Sequence, residues 1–323
     1  KRVGDISQLC DAKRVRSIGG IDEGVIYINV RTGSGLNFSI VESRGLDISF
    51  ASYKGKTLSY TSKNKVTSPF LFEESNKGFF RSFYAGLLTT CGMTYNGSAS
   101  VYNNSYLGTH GRFSNTPAED VSISKTWVDN EYVISISGTV RETKLFGENI
   151  VLKRTISTKM FSNVISIHDV VTNMSFYPHP LMMLYHINFG YPLLDETSLF
   201  TKSQSSITPR DENAKKDIDL YNKFSKPIYG FKEQVYYHEN FNKENVFGQL
   251  YNERYGLGLR VNFQKSQLPI LIEWKMLDNS DYVFGIEPST NYPTGFDSEL
   301  KNNNIRYLKP FEERIFDIIL EII

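Results

Sequence analysis

The chain has 323 residues, of which 40% are hydrophobic and 14% aromatic, enough apolar mass for a large core and too much for a disordered chain. Its 36 basic and 35 acidic residues nearly balance and are scattered, which argues against a nucleic-acid or anionic-membrane partner, since both require a concentrated basic surface. The only two cysteines, Cys10 and Cys91, cannot form a disulfide framework, and no apolar run reaches the roughly 18 residues of a membrane span. The sequence begins at Lys1 without a recognisable leader peptide, and we expect a cytoplasmic protein.

Alternation of apolar and polar residues with a period of two dominates the chain, as in half-buried β-strands. Such segments occur, in chain order, at residues 25–30, 46–50, 131–140, 149–156, 164–171, 259–264, 282–286 and 316–322. In the third of them, Tyr132, Ile134 and Ile136 share one face, while Glu131 and Ser135 lie on the other. The turn-rich stretches 173–180, 278–281 and 288–295 separate the later segments.

Helical patterns are scarce, and the best candidates are residues 76–87 and 209–216. The very hydrophilic stretch 210–226 is expected to be a surface loop. Many strands joined by short turns predict an all-β fold, either a sandwich or a barrel, with few parallel crossovers. The length suits one large β domain as well as two average ones.

The five histidines do not form a metal-binding pattern. No two are spaced as i and i+4, no Cys/His cluster exists, and His179 and His186 should face opposite ways along a regular strand. We therefore predict no metal site. His168 is expected to be structural, either solvated or packed on a sheet, and His238 is a weaker candidate for lining a site.

Two short segments place polar groups beside glycine within apolar surroundings. In the segment 107–112 (LGTHGR), the glycines allow close approach to a ligand, and His110 and Arg112 are potential donors. In the segment 185–190 (YHINFG), His186 and Asn188 would project to the same face of a strand and could converge on one small molecule.

A third segment, 285–290 (GIEPST), places Glu287 at the end of a strand beside a proline, where binding sites are often built. Each of these residues also has a structural interpretation. His110 could cap a loop, His186 could be a hydrogen-bonded core histidine, and Glu287 could be a surface acid at a strand end.

The order and separation of these segments resemble the aldose 1-epimerase, or galactose mutarotase, superfamily, and more narrowly its bacterial aldose-epimerase-like branch. The superfamily pattern is matched by segments 109–112 (THGR), 185–190 (YHINFG) and 286–288 (IEP). The branch is matched by segments 43–48 (SRGLDI), 86–92 (GLLTTCG) and 273–275 (EWK). The resemblance covers most of the chain from about residue 40 onward, and we expect one domain over residues 1–323.

The resemblance implies a large antiparallel β-sandwich with few short helices that binds a small sugar in a concave face. It implies that Glu287 is the general base that removes the anomeric hydroxyl proton, and that His186 is the general acid that protonates the ring oxygen. It implies no metal or redox cofactor. The implied substrate-binding residues are His110, Arg112 and Asn188, with Arg44, Asp47, Gln234 and Lys275 as lower-ranked candidates.

One departure from the family limits the prediction. The usual His-Gly-Gly turn reads His110-Gly111-Arg112, so an arginine stands where a glycine would leave room for the sugar. Two alternatives to an aldose 1-epimerase therefore stay open. One is a non-catalytic carbohydrate-binding or sensor protein, and the other is an epimerase or lyase that acts at a different sugar carbon.

Overall fold

A computed structural model describes residues 2–75 and 77–323, and most of its regular structure is β-strand. In chain order, the strands of these residues are β1 (Asp11–Arg16), β2 (Ile26–Arg31), β3 (Leu36–Val41), β4 (Asp47–Tyr53), β5 (Lys56–Thr57), β6 (Tyr60–Thr61), β7 (Ala85–Gly86), β8 (Leu88–Cys91), β9 (Ser100–Tyr102), β10 (Ser105–Leu107), β11 (Glu119–Val128), β12 (Glu131–Thr143), β13 (Asn149–Lys159), β14 (Val164–Asn173), β15 (His179–Leu181), β16 (Leu184–Phe189), β17 (Ser198–Lys202), β18 (Ser206–Pro209), β19 (Gln234–Glu239), β20 (Asn245–Asn252), β21 (Leu257–Gln264), β22 (Ile270–Asp278), β23 (Asp281–Ser289), β24 (Arg306–Leu308) and β25 (Glu313–Ile322).

Two large sheets form the molecule, and strand pairing within both is antiparallel. The first sheet has eleven strands among the described residues, in the order β1-β2-β3-β4-β8-β16-β23-β22-β19-β18, with β5 paired to β4. The second has eight, in the order β11-β12-β13-β14-β25-β21-β20-β17. Strands β8, β16 and β23 are far apart in the chain, yet they lie side by side in the middle of the first sheet.

The inner faces of the two sheets share one hydrophobic core, which makes the molecule a β-sandwich. Its residues follow the predicted alternation. In β12, Tyr132, Ile134 and Ile136 are buried, and the residues between them are more exposed. The predicted all-β fold is confirmed, and the sandwich interpretation is correct.

Helices are short, as predicted, but two of them differ from the expectation. The α-helices of the described residues are α1 (Phe79–Ser82), α2 (Glu212–Lys216) and α3 (Phe296–Lys301), and the 3₁₀ turns are Ile6–Gln8, Pro69–Leu71, Phe113–Asn115 and Ile218–Leu220. The predicted helix 76–87 is reduced to α1, because the chain turns into β7 after it; its first residue, Asn76, lies outside the described residues. Helix α3 carried no sequence signal, because its N-cap is Gly295, which has no capping side chain.

The second predicted helix is present with a shifted start. Pro209 ends β18, and α2 begins at Glu212 after Asp211, whose side chain accepts a hydrogen bond from the Ala214 amide. Within the described part of the chain, no helix has the length and apolar character needed to cross a membrane.

Candidate functional site

His186 and Glu287 are cross-strand neighbours on the central strands of the first sheet. The register of β16 against β23 pairs Leu184 with Ser289 and Ile187 with Ile286, so it sets His186 opposite Glu287. Both side chains point away from the sandwich core. Their immediate neighbours in the chain, Ile187 and Ile286, belong to that core, and successive residues of a strand face opposite ways. The site therefore lies on the outer face of the first sheet.

The two side chains are close and almost completely buried. Nε2 of His186 lies 3.3 Å from Oε1 of Glu287, and the two residues are 6% and 3% exposed. Glu287 Oε1 and His186 Nδ1 have no hydrogen-bond partner among the described residues. Gly285 makes room for the carboxylate, since a side chain there would collide with Glu287 Oε1 and with Trp274. The contact leaves no space for a ligand between the two side chains.

Aromatic rings cover the histidine from two sides. The ring centroids of Phe83 and Trp274 each lie 5.2 Å from that of His186. Phe83 belongs to a part of the chain, residues 62–75 and 77–84, that we call the cover, and its ring places the end of the cover on the outer face beside His186. Phe79, also in the cover, stacks on Phe83 with a centroid distance of 4.9 Å.

Burial shifts both titrating groups towards their uncharged forms. It lowers the pKa of His186 to about 3, and nearby His110 adds to the shift. It raises the pKa of Glu287 well above its ordinary value, with the Glu233 carboxylate adding to the effect. Both shifts favour placing a proton shared by the pair on Glu287 rather than on His186.

His110 joins the site from a turn. Its backbone has a φ of 59°, its amide donates to the Gly97 carbonyl at 2.8 Å, and its ring centroid lies 6.0 Å from that of His186. The next residue has to be glycine, because Gly111 has a φ of 73° and a Cβ there would clash with the Tyr95 carbonyl oxygen. Burial lowers the pKa of His110 to about 4. His110 is therefore a neutral donor or acceptor beside His186.

Asn188 lies on the same face as His186, as the strand pattern predicted. Its Nδ2 donates to the carbonyl oxygens of Ala85 and His186, at 3.1 and 2.8 Å. Its Oδ1 is buried without a partner among the described residues. The amide is fixed by the backbone and has one free acceptor.

The sequence did not identify the residues at the rim of the site. Trp274 Nε1 donates to Glu233 Oε2 at 3.0 Å, and Arg210 holds the other oxygen of Glu233 at 2.9 Å. Trp274 belongs to the 273–275 motif, but nothing local says whether it or its two charged neighbours face the site. Arg210 is the first residue of the hydrophilic stretch 210–226, which was expected to be a surface loop, and Glu233 follows that stretch. Neither residue therefore carried a sequence signal for a site.

Arg112 does not reach the His186–Glu287 pair, which corrects one of the predictions. Its guanidinium binds Glu74, with Nη1 2.6 Å from Oε2, and its side chain is 57% exposed. It lines a separate cleft on the other side of the turn from His110. Two residues apart in a tight turn, the side chains diverge.

Arg44 is a structural anchor rather than a pocket residue. It is 1% exposed, and its guanidinium donates to the carbonyl oxygens of Ser114, Thr67 and Ser82. Two of these acceptors belong to the cover, so Arg44 ties the cover to the sandwich. All three of its nitrogens are engaged by the protein.

Asp47 lies between the sheets, on the opposite face from the proposed site. Its carboxylate accepts from the Thr90 amide and hydroxyl and from Arg154, whose Nη1 is 2.8 Å away. Arg154 also forms a two-point contact with Asp169, to which the Tyr185 hydroxyl donates. The prediction of a pocket role for Asp47 is wrong, because the start of β4 directs this side chain inward.

Gln234 and Lys275 also face inward. They are paired across β19 and β22, on the face opposite to Trp274. Lys275 Nζ donates to the carbonyl oxygens of Leu220, Tyr221 and Lys223, and Gln234 Nε2 donates to Asp217. Both predictions of a pocket role are wrong, because both residues hold the 217–223 loop.

The remaining histidines lie outside the site. His168 is half-exposed on the second sheet, 2.7 Å from Asp317, as expected for a structural residue. His238 points between the sheets and lies 2.9 Å from Glu273, whose pKa burial raises to about 8. His179 is in β15, away from His186.

The fold is that of a galactose mutarotase-like β-sandwich. Residues 22–322 match the family described as "Domain of unknown function (DUF4432)", and the chain belongs to that family. No curated protein matches the sequence significantly.

Solved structures share the fold over nearly the whole chain. A "putative aldose 1-epimerase" from Klebsiella pneumoniae is 26% identical, with a TM-score of 0.93 over 98% of this chain and 86% of the other. A galactose mutarotase-like protein from Clostridium acetobutylicum is 15% identical, with a TM-score of 0.67 over 98% and 99%. Galactose 1-epimerase from Lactobacillus acidophilus is 12% identical, with a TM-score of 0.61 over 97% and 99%. The latter two are similar in fold alone.

Proposed function

We propose that this protein is an isomerase of the aldose 1-epimerase type, which interconverts sugar anomers at His186 and Glu287. The observation that carries the proposal is the convergence of these two side chains, 3.3 Å apart, on the outer face of the first sheet. The similarity to the Klebsiella pneumoniae protein supports the same activity. His110 and Asn188 are the proposed substrate-positioning groups, because both adjoin His186.

The proposed reaction uses one base and one acid. The Glu287 carboxylate takes the proton of the anomeric hydroxyl, and the His186 imidazolium gives a proton to the ring oxygen. The bond from C1 to the ring oxygen breaks, and C1 becomes a carbonyl carbon. Rotation about the bond from C1 to C2, followed by the reverse proton transfers, closes the ring as the other anomer. Each such group contributes about 10² to 10⁴-fold to a rate.

In this proposal, the Glu287 carboxyl supplies the proton that the His186 imidazole needs for the cycle. Burial favours the protonated carboxyl of Glu287 and the neutral imidazole of His186, so a pair that carries one proton has to pass it from carboxyl to imidazole before ring opening. Ring opening then returns the proton to Glu287 and leaves His186 neutral. The arrangement in the empty site is thus the same as that beside the open-chain sugar.

The proposal is tested by following anomer exchange by NMR for a panel of aldoses and uronic acids. We expect the wild-type protein to accelerate at least one sugar, and His186→Ala and Glu287→Gln each to lose about 10² to 10⁴-fold of that rate. His168→Ala is the matched control, because this histidine is half-exposed on the other sheet. Circular dichroism and melting temperature establish that the variants are folded.

Three results would overturn the proposal. Acceleration of no sugar by the wild type, with saturable binding, would indicate a sensor. Exchange at another carbon would indicate a different epimerase, and unchanged rates in both site variants would remove the pair from the reaction.

A further inference from the structure

A second cleft lies on the far side of the turn that carries His110. Its volume is about 730 Å³, within the roughly 300 to 1,000 Å³ typical of small-molecule sites. Neither His186 nor Glu287 lines it, whereas Arg112 does. The cleft is thus separate from the proposed active site, although the turn 108–112 borders both.

Aromatic side chains form one part of its lining. The aromatic residues are Tyr95 in the loop before β9, Tyr102 in β9, Tyr106 in β10 and Phe296 in helix α3. The ring centroids of Tyr102 and Phe296 are 4.3 Å apart, and those of Tyr95 and Phe296 are 6.3 Å apart. Tyr95 and Phe296 are each only 3% exposed and support Tyr102, so the aromatic surface within reach of a ligand comes from Tyr102 and from Tyr106, which is 41% exposed.

Charged side chains from other elements form the rest, and their charges cancel. Among the described residues that line the cleft, the basic ones are Arg112, Arg141 and Lys144, and the acidic ones are Glu74, Glu142 and Glu148. Glu142 is held in place by hydrogen bonds from the Met93 and Thr94 amides. A neutral surface does not attract a phosphate or a nucleic acid, which require an excess of positive charge.

We propose that this cleft binds a saccharide at a second, non-catalytic site. A pyranose has an apolar face of C–H groups and a rim of hydroxyls that both donate and accept. The accessible rings of Tyr102 and Tyr106 match the face, and the balanced arginine, lysine and glutamate side chains match the hydroxyls. The proposal is independent of turnover at His186, since the cleft contains neither member of the reacting pair.

The test uses sugars that cannot undergo anomer exchange. Trehalose and methyl glucopyranosides have no free anomeric hydroxyl, and their binding is measured by saturation-transfer difference NMR and titration. We expect binding to wild type and to Glu287→Gln, and about tenfold weaker binding to Tyr106→Ala and Lys144→Ala, as for truncation of a contact residue. Both altered side chains are exposed, so folding should be preserved.

Tyr229→Ala is the control, because this tyrosine is 90% exposed and does not line the cleft. Absence of saturation transfer from all of these sugars to the wild type would overturn the proposal. So would binding that is lost in Glu287→Gln and retained in both cleft variants, which would place the sugar at the His186 site. Anomer exchange in Tyr106→Ala should equal that of the wild type, so failure of the active-site proposal would be visible separately.

Discussion

The His186–Glu287 pair owes its properties to where it is buried. An isolated histidine titrates near pH 6.5 and an isolated glutamate near 4.3. On this sheet, exclusion of water reverses that order, so that the carboxyl group holds its proton after the imidazole has lost its own. Such a pair can exchange a proton internally without changing its net charge, which suits a reaction that removes one proton and returns another.

The buried histidine should make the protein less stable in acid. In the unfolded chain His186 takes up a proton as the pH falls below about 6.5, whereas in the folded protein it stays neutral until about pH 3. The unfolded state binds more protons in this window, so the stability is present above about pH 6.5 and is lost as the pH falls towards 3. For one such group the slope is at most about 1.4 kcal/mol per pH unit.

Urea unfolding of His186→Gln at a series of pH values between 7 and 4 checks this expectation. The variant should lose less stability on acidification than the wild type does. His168→Gln, altered at a half-exposed site, should behave as the wild type. Equal slopes for His186→Gln and wild type would contradict the assigned pKa.

Among the individual elements, the cover is the one whose Phe83 ring shields His186 on one side. Phe83 lies against His186, and Arg44 holds the cover at Thr67 and Ser82. Removing the Phe83 ring should admit water while leaving the anchor intact. The exclusion of water that lowers the pKa of His186 would then be weakened.

We therefore expect Phe83→Ala to raise the pKa of His186 from about 3 by at least about one pH unit. The measurement is an NMR titration of the imidazole resonances. Phe80→Ala provides the comparison, because Phe80 is 59% exposed and belongs to the same cover. An unchanged pKa in Phe83→Ala would mean that other groups keep the site dry.

Strand alternation predicted the facing of some side chains correctly and failed for others. It correctly placed His186 and Asn188 on one face, because both lie on the same strand at even spacing. In the motif 273–275, alternation implies only that the Trp274 side chain lies on the opposite face of the sheet from those of its two neighbours. Which of them faces the site depends on the pairing of β22 with β19 and β23, and no local signal encodes that pairing. Lys275 was therefore assigned to the wrong face.

For the whole molecule, a buried charge network joins the two sheets. Arg154 from the second sheet contacts Asp47 in the first and Asp169 beside it, and all three side chains are fully buried. Burial raises the pKa of Asp47 to about 6 even though Arg154 opposes the shift. The network directly underlies the strand of His186, because Tyr185 binds Asp169.

Arg154→Met should lower the free energy of unfolding by about 3 to 5 kcal/mol, because it leaves two carboxylates buried without their partner. Denaturant unfolding at neutral pH measures the loss. Arg141→Met is the matched surface change, since Arg141 is 42% exposed and pairs with Glu119, and it should cost less than about 1 kcal/mol. Losses of equal size would show that the network adds no more than a surface ion pair.

The overall architecture was predictable from composition and periodicity, but the order of strands was not. Alternation of apolar and polar residues, as in β12, shows that one face of a strand packs on a core. This pattern can be seen directly in the sequence. The adjacency of β8, β16 and β23 joins residues about one hundred positions apart. The resemblance to a known family implied only that His186 and Glu287 act together, and neither turn signals nor propensities extend far enough to give the strand order.

The central position of β16 and β23 has a consequence for amide hydrogen exchange. Each strand is flanked by neighbours on both sides, so its amides exchange only when the sheet comes apart. The backbone that carries the His186–Glu287 pair should therefore exchange at the rate of global unfolding. The described residues of the cover contain only one 3₁₀ turn and the short helix α1, so their amides should exchange faster. The pair would thus keep its geometry through any local opening of the cover.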